Sequence, residues 1–153
     1  MSISTFLAGE DFAPIYEGLG VVEAIAEDSE TIRFEETGMG RFLASKLPAM
    51  QFRNAIRWTQ SGAESIKIEH LRNGSKSPTP LVELQYCGEN GWASIFPHIC
   101  GQDSYTAFVR LEGSRLCLQW HVVGPTKSQR IEFRYSQEKP AHMLAETQLD
   151  CIE

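Results

Sequence analysis

Long apolar runs are missing from this sequence. Its hydrophobic stretches are short and interrupted by charge, so nothing approaches the roughly 20 consecutive apolar residues of a membrane-crossing helix, and no membrane span is expected. The opening MSISTFLAGEDF has neither a basic leader ahead of an apolar stretch nor an Arg-rich amphipathic one, which points to the cytosol. Close cysteine pairs are missing too. Cys87, Cys100, Cys117 and Cys151 are scattered with no Cys-x-x-Cys, which argues against a disulfide framework, a zinc knuckle or a redox pair and in favour of reduced thiols. Positive charge is in deficit: 14 Lys and Arg against 20 Asp and Glu leave a formal net charge of −6, a poor match to the phosphate-dominated affinity of nucleic-acid binders. A phosphate loop, a dinucleotide fingerprint and Gly-x-Ser-x-Gly are all absent, so no cofactor is implied and serine-hydrolase chemistry is not expected.

What the chain has is alternation. Apolar and polar residues exchange with period two, the mark of half-buried strands, over eight segments separated by turn residues. These are Gly20 to Asp28, Thr31 to Gly38, Met50 to Gln60, Glu64 to Arg72, Leu81 to Cys87, DSYTAFVRLEG, RLCLQWHVVG and QRIEFRYSQ. Asp28-Ser29-Glu30 and Ser61-Gly62 read as tight connections, while the two prolines and the glycine of NGSKSPTP exclude helix or central strand there. Helical signal is thin: STFLAGEDFAPIYEGL reads as a short helix or turn, GRFLASKLPAM as one turn ended by Pro48, and KPAHMLAETQL as a capping helix after Pro140. The class expected is all-β, an antiparallel barrel or sandwich, and about eight strands is the size at which a closed barrel has room for side chains or one small ligand.

Four segments in this order, RFEETG, HICGQDSY, WHVVGPTK and FRYSQ, resemble those of an uncharacterised lipocalin-like family of the calycin type of barrel. The resemblance runs from about Arg33 to Tyr135 and is best in His98-x-Cys100-x-x-Asp103-x-Tyr105 paired with Trp120-x-Val122-x-Gly124-Pro125-x-Lys127. It implies a single lipocalin-like barrel domain over residues 1–153, with short terminal helical segments, and carries no established activity. One departure is visible: where the family usually has Gly-x-Trp near the first strand, this chain has Gly18-Leu19-Gly20.

Alternation also proposes an inside, because one face of each strand is the more apolar. Ile32, Phe34 and Glu36 share a face; so do Phe52, Asn54, Ile56 and Trp58, then Ile66, Ile68 and His70, and then Val82, Leu84 and Tyr86. Asp103, Tyr105, Ala107 and Val109 follow, with Leu116, Leu118, Trp120 and Val122, and finally Ile131, Phe133 and Tyr135. An apolar, aromatic interior with a few polar groups suits a ligand cavity, and it equally suits a packed barrel whose polar groups satisfy one another. A buried carboxylate costs several kcal/mol unless paired or protonated, so Glu36 and Asp103 need partners, and His70 or a tyrosine hydroxyl is a candidate.

The candidate catalytic residues are therefore His70, His98, Asp103 and Glu36, with Asn54, Trp58, Tyr86, Tyr105, Trp120, Lys127 and Tyr135 as candidate substrate contacts. His98 and Asp103 read as an acid/base pair at the barrel mouth, or as loop residues serving backbone groups. His70 is a proton shuttle or a satisfied core histidine; a desolvated Glu36 would have a raised pKa and pair with His70 as base and orienter. Trp58 and Trp120 stack on a ligand or pack the core, and Lys127 holds an anionic group or stays in solvent. His98 and Cys100 match no closed zinc site, so no metal is expected. The function that follows is binding of an apolar, oxygenated small molecule by a cofactor-independent cyclase, isomerase or lyase; the alternative is a carrier or sensor of a hydrophobic metabolite. The expected partner is that hydrophobic molecule, with no nucleic acid.

Overall fold

Among the residues described by the computed structural model, 1–7 and 14–137, the chain forms strands and turns and no helix. The strands are β1 (Ser2–Leu7), β2 (Tyr16–Ala26), β3 (Thr31–Phe42), β4 (Met50–Gln60), β5 (Ser65–His70), β6 (Thr79–Gly88), β7 (Gly91–Ser94), β8 (His98–Cys100), β9 (Asp103–Glu112), β10 (Arg115–Val123) and β11 (Ser128–Tyr135). Each pairs antiparallel with its neighbour in the chain from β1 to β7, then β7 with β9, β9 with β10, β10 with β11, and β11 back with β1. Ten strands thus close a ring, and β8 lies outside it, paired only to the start of β9. No helix among the described residues is long and apolar enough to cross a membrane.

The barrel has ten strands where eight were expected, and the two additions have physical reasons for being hard to see. The segment read as a short helix or turn starts inside β1, whose apolar Ile3 and Phe6 stand at a helix-like spacing. In fact Ile3 faces the barrel while Phe6 is buried on the outer wall beneath the Arg130 guanidinium, 4.5 Å from the ring centroid. Strand β7 is only four residues long, and it is set up by a turn in which Glu89 and Asn90 both take positive φ, at 52° and 56°, the backbone of a type I′ hairpin. The helical turn expected in GRFLASKLPAM is absent: Gly40, Arg41 and Phe42 finish β3 and a turn follows. The expected C-terminal helix lies outside the described residues. NGSKSPTP is not wholly loop either, because Thr79 and Pro80 open β6. Pro80 sits opposite Glu69 beside a bulge in which β6 carries the extra residue Leu81, an irregular place where a missing N–H is tolerated.

Burial places most of the expected inward residues in the core, Ile56, Trp58, Ile68, Leu84, Val109 and Leu118 among them, while Tyr86 is exposed. Glu36 lies opposite Asn54, Phe34 opposite Ile56, Ile56 opposite His70, Trp58 opposite Ile68, Leu118 opposite both Val109 and Phe133. The outward faces carry ion pairs, among them Arg57 with Glu27 at 2.7 Å and Lys67 with Glu69 at 2.7 Å. At the waist Ile68, Leu84, Val109 and Leu118 are fully buried and fill the barrel. At full burial each such side chain contributes about 1.5–3 kcal/mol through water release, so this layer, rather than an open channel, is the stable centre. On β2 and β3 facing glycines make room for rings: a Cβ on Gly40 would collide with the Tyr16 hydroxyl, and one on Gly38 would collide with the Leu19 carbonyl and lie 2.6 Å from Phe52 Cζ.

Candidate functional site

With its waist filled, the barrel has recesses toward its two ends. One, of about 630 Å³, lies at the end of the β2–β3 and β4–β5 hairpins and is walled by Ile32, Phe34, Trp58, Ile66, Trp92 and Leu116. The other end holds a smaller recess of about 180 Å³, walled by Asn54, Ile56, His70, Leu81, His98, Tyr105, Leu118, Trp120, Phe133 and Tyr135. A cleft of about 650 Å³ adjoins it, sharing Asn54, His70 and Phe133 and adding Glu36, Tyr16, Arg53 and Arg72 among others. This cleft exists because β5 stops at His70: Leu71 still hydrogen-bonds to Ala55, but the Met50 to Asn54 end of β4 has no strand on that side among the described residues.

Four side chains from four strands form one hydrogen-bonded line here. Tyr135 on β11 donates its hydroxyl to Glu36 Oε1 at 2.6 Å; Asn54 on β4 donates Nδ2–H to Glu36 Oε2 at 2.8 Å; and Asn54 Oδ1 meets His70 Nε2 on β5 at 2.8 Å. Glu36 is only 1% exposed, so both carboxylate oxygens are satisfied by donors instead of by water. Burial pushes its pKa up from 4.5, while the Tyr135 and Asn54 hydrogen bonds pull the other way. The Tyr135 hydroxyl is pushed well above its ordinary range, first by burial and then by the Glu36 charge. His70 moves down from 6.5, mainly through burial and further through the Arg72 charge.

The line has a direction. A carboxylate only accepts, so the Asn54 amide must turn its NH2 to Glu36 and its oxygen to His70. An amide oxygen likewise only accepts, so a neutral His70 carries its hydrogen on Nε2 and its lone pair on Nδ1. The buried carboxylate, through one amide, therefore selects the tautomer of a histidine that lines both the recess and the cleft. A neutral imidazole with one fixed lone pair, beside an apolar wall containing the Trp120 and Tyr105 rings, is chemically equipped to take a proton from a bound molecule.

The other candidates divide: His98, Tyr105 and Trp120 wall the same recess as His70, and Asp103, Lys127, Trp58 and Tyr86 do not. His98 and Tyr105 are opposite one another across β8 and β9, their rings edge to face at 6.1 Å. Asp103 does not pair with His98. Its carboxylate is held by Lys127 at 2.6 Å and occupies the space that a side chain at Gly124 would fill, so the expected acid/base pair is instead an ion pair tying the β10–β11 turn to β9. Lys127 Nζ also lies 5.9 Å from the Tyr105 ring centroid. Trp58 faces the hairpin-end recess, and Tyr86, 38% exposed, packs on Trp92 at 5.3 Å and lines neither recess nor the cleft. Nor do Glu36 and His70 touch; Asn54 stands between them. Arg53 and Arg72 were not candidates from the sequence, because they stand on outward or loop positions that become lining only where a strand stops short; Leu81 was missed because it is the extra residue at a bulge in β6, between Val82 opposite Ile68 and Pro80 opposite Glu69. Among the described residues no three His, Cys, Asp or Glu side chains are grouped to hold a metal ion.

Residues 13–137 match the Family of unknown function (DUF6314). The chain belongs to that family. No curated protein and no solved structure matches it. For this DUF6314 chain, then, chemistry has to be argued from the polar line and the cavities themselves.

Proposed function

We propose that this DUF6314 chain binds an apolar, oxygen-bearing small molecule at the His70 end of its barrel and acts on it without a cofactor, as a cyclase, isomerase or lyase that moves a proton. The observation that carries this reading is the Tyr135–Glu36–Asn54–His70 line, which ends on a histidine with a set tautomer and a lowered pKa. His70 Nδ1 would accept a proton from carbon or oxygen of the bound molecule. The imidazolium so formed would be steadied by the Asn54 oxygen and, through the amide, by Glu36. Leu118, Trp120 and Phe133 would hold the substrate in a reactive shape, a proximity effect that can reach about 7 kcal/mol or more.

Size sorts the candidates. A drug-sized ligand needs about 300–1,000 Å³, so the recess of about 180 Å³ takes a small molecule or one end of a larger one extending into the cleft of about 650 Å³. The barrel type we infer is calycin-like, supported by the up-and-down order of strands that closes first strand on last, with β8 alone set outside the ring.

The test is proton exchange. Phenylacetone in D2O, followed by loss of its α-proton signals in NMR, should exchange faster with the protein than in buffer, and His70→Gln should remove the acceleration. Acceleration that survives in His70→Gln would remove His70 as the base. A second reading, a carrier of a hydrophobic metabolite, is favoured by the aliphatic and aromatic character of the wall around Trp120. It expects quenching of tryptophan emission by lipophilic ketones with no exchange above buffer.

A further inference from the structure

We propose that the molecule bound at the His70 end ends in a carboxylate, and that Arg53 and Arg72 hold it. The inference rests on the reading of that end as a binding site and names the class of ligand it would take.

Both arginines line the cleft that shares Asn54, His70 and Phe133 with the recess. Arg53 is on β4 and Arg72 follows Leu71, whose N–H bonds to the Ala55 carbonyl, so the chain brings the two cations to the same stretch of the β4 edge. Neither has a carboxylate within 4.0 Å among the described residues, which holds for Arg41 and Arg115 as well, but of these four only Arg53 and Arg72 line the cleft. The cleft's own carboxylates are already engaged: Glu35 by Arg33, Glu36 by Tyr135 and Asn54. Both guanidinium groups thus line one cleft without an ion-pair partner among the described residues, in a chain of net charge −6. A bound carboxylate would supply the missing partner, since a guanidinium matches a carboxylate fork to fork. The apolar body of such a ligand would run past Phe133 into the recess and bring its reacting atoms to His70.

The site also couples to the base. Arg72 is one of the influences that lower the His70 pKa; an anion on Arg72 offsets that charge, so occupancy strengthens His70 as a proton acceptor when substrate is present.

Three probes with one apolar body decide the matter: 4-phenylbutyrate, 4-phenylbutanol and 4-phenylbutylamine, titrated calorimetrically into the whole chain. The carboxylate should bind at least about tenfold more tightly than the alcohol, the increment of one good charge-assisted contact, with the amine weakest and the preference shrinking as salt rises. Arg53→Gln with Arg72→Gln should remove the preference without changing affinity for 4-phenylbutanol, and the Lys pair at the same positions should restore part of it. Unfolding midpoints of the variants show that they fold. Equal affinity for the three probes, or a carboxylate preference untouched by the Gln pair, overturns the anion site while leaving the pocket reading in place. An arginine-dependent preference that leaves tryptophan emission and His70 signals unmoved supports the anion site and removes the pocket reading instead. Binding of none of the three overturns both.

Discussion

Tyr135 donates its phenolic hydrogen to Glu36 across 2.6 Å, joining residues ninety-nine positions apart, from the last strand to the third. With Asn54 on the other oxygen, this contact lets a carboxylate sit at 1% exposure in the interior of the barrel. An unpaired polar group there would cost about 1–3 kcal/mol, and more when charged.

Glu36 makes stability depend on pH in a stated direction. Burial raises its folded-state pKa above 4.5, so the folded chain holds this proton more firmly than the unfolded chain does. Its contribution is therefore complete below the ordinary carboxyl value and is lost as pH rises through the raised folded value. In urea unfolding across that interval, wild type should lose stability relative to Glu36→Gln as pH climbs from 4.5 toward neutrality. A constant difference between the two proteins would contradict a raised Glu36 pKa.

Asn54 should set the protonation pattern of His70. In wild type the ring nitrogens seen by 15N NMR should show the hydrogen on Nε2, with a titration midpoint below 6.5. Asn54→Ala removes the acceptor and should relax the ring to a mixture of tautomers. Arg72→Gln removes a nearby positive charge and should raise the midpoint. A wild-type ring already mixed would mean that the amide does not select the tautomer.

Gly38 should resist enlargement. A methyl there meets the Leu19 carbonyl as well as Phe52 Cζ, so Gly38→Ala should destabilise the chain by about 1–3 kcal/mol, the usual cost of overpacking. Shortening the ring with Phe52→Leu should not restore stability, because the closer obstacle is backbone. Full rescue in the double variant would show that the ring alone was the obstacle.

How far the sequence could be read depends on the residue. The inward placing of Glu36, Asn54, His70 and Tyr135 followed from alternation on their strands, and the register puts Glu36 across from Asn54 and Ile56 across from His70. Strand β1 hid behind the spacing of Ile3 and Phe6, since both faces of that strand are covered and period two fails there. His98 and Asp103 looked like partners because they are close in the chain, yet Lys127 lies nearer to Asp103 once the turn after β10 folds back. Arg53 and Arg72 carried no signal at all, since their role depends on β5 ending before β4 does.

The sequence by itself determined which side is apolar on the strands that have one wetted face, because successive side chains point to opposite faces and that rule needs only the nearest neighbours along the chain. Tertiary structure alone decided which inward polar groups meet. Ring closure and the stagger between strands bring residues 16, 18 and 99 positions apart to within 2.8 Å of one another, and those are set by how the whole barrel packs.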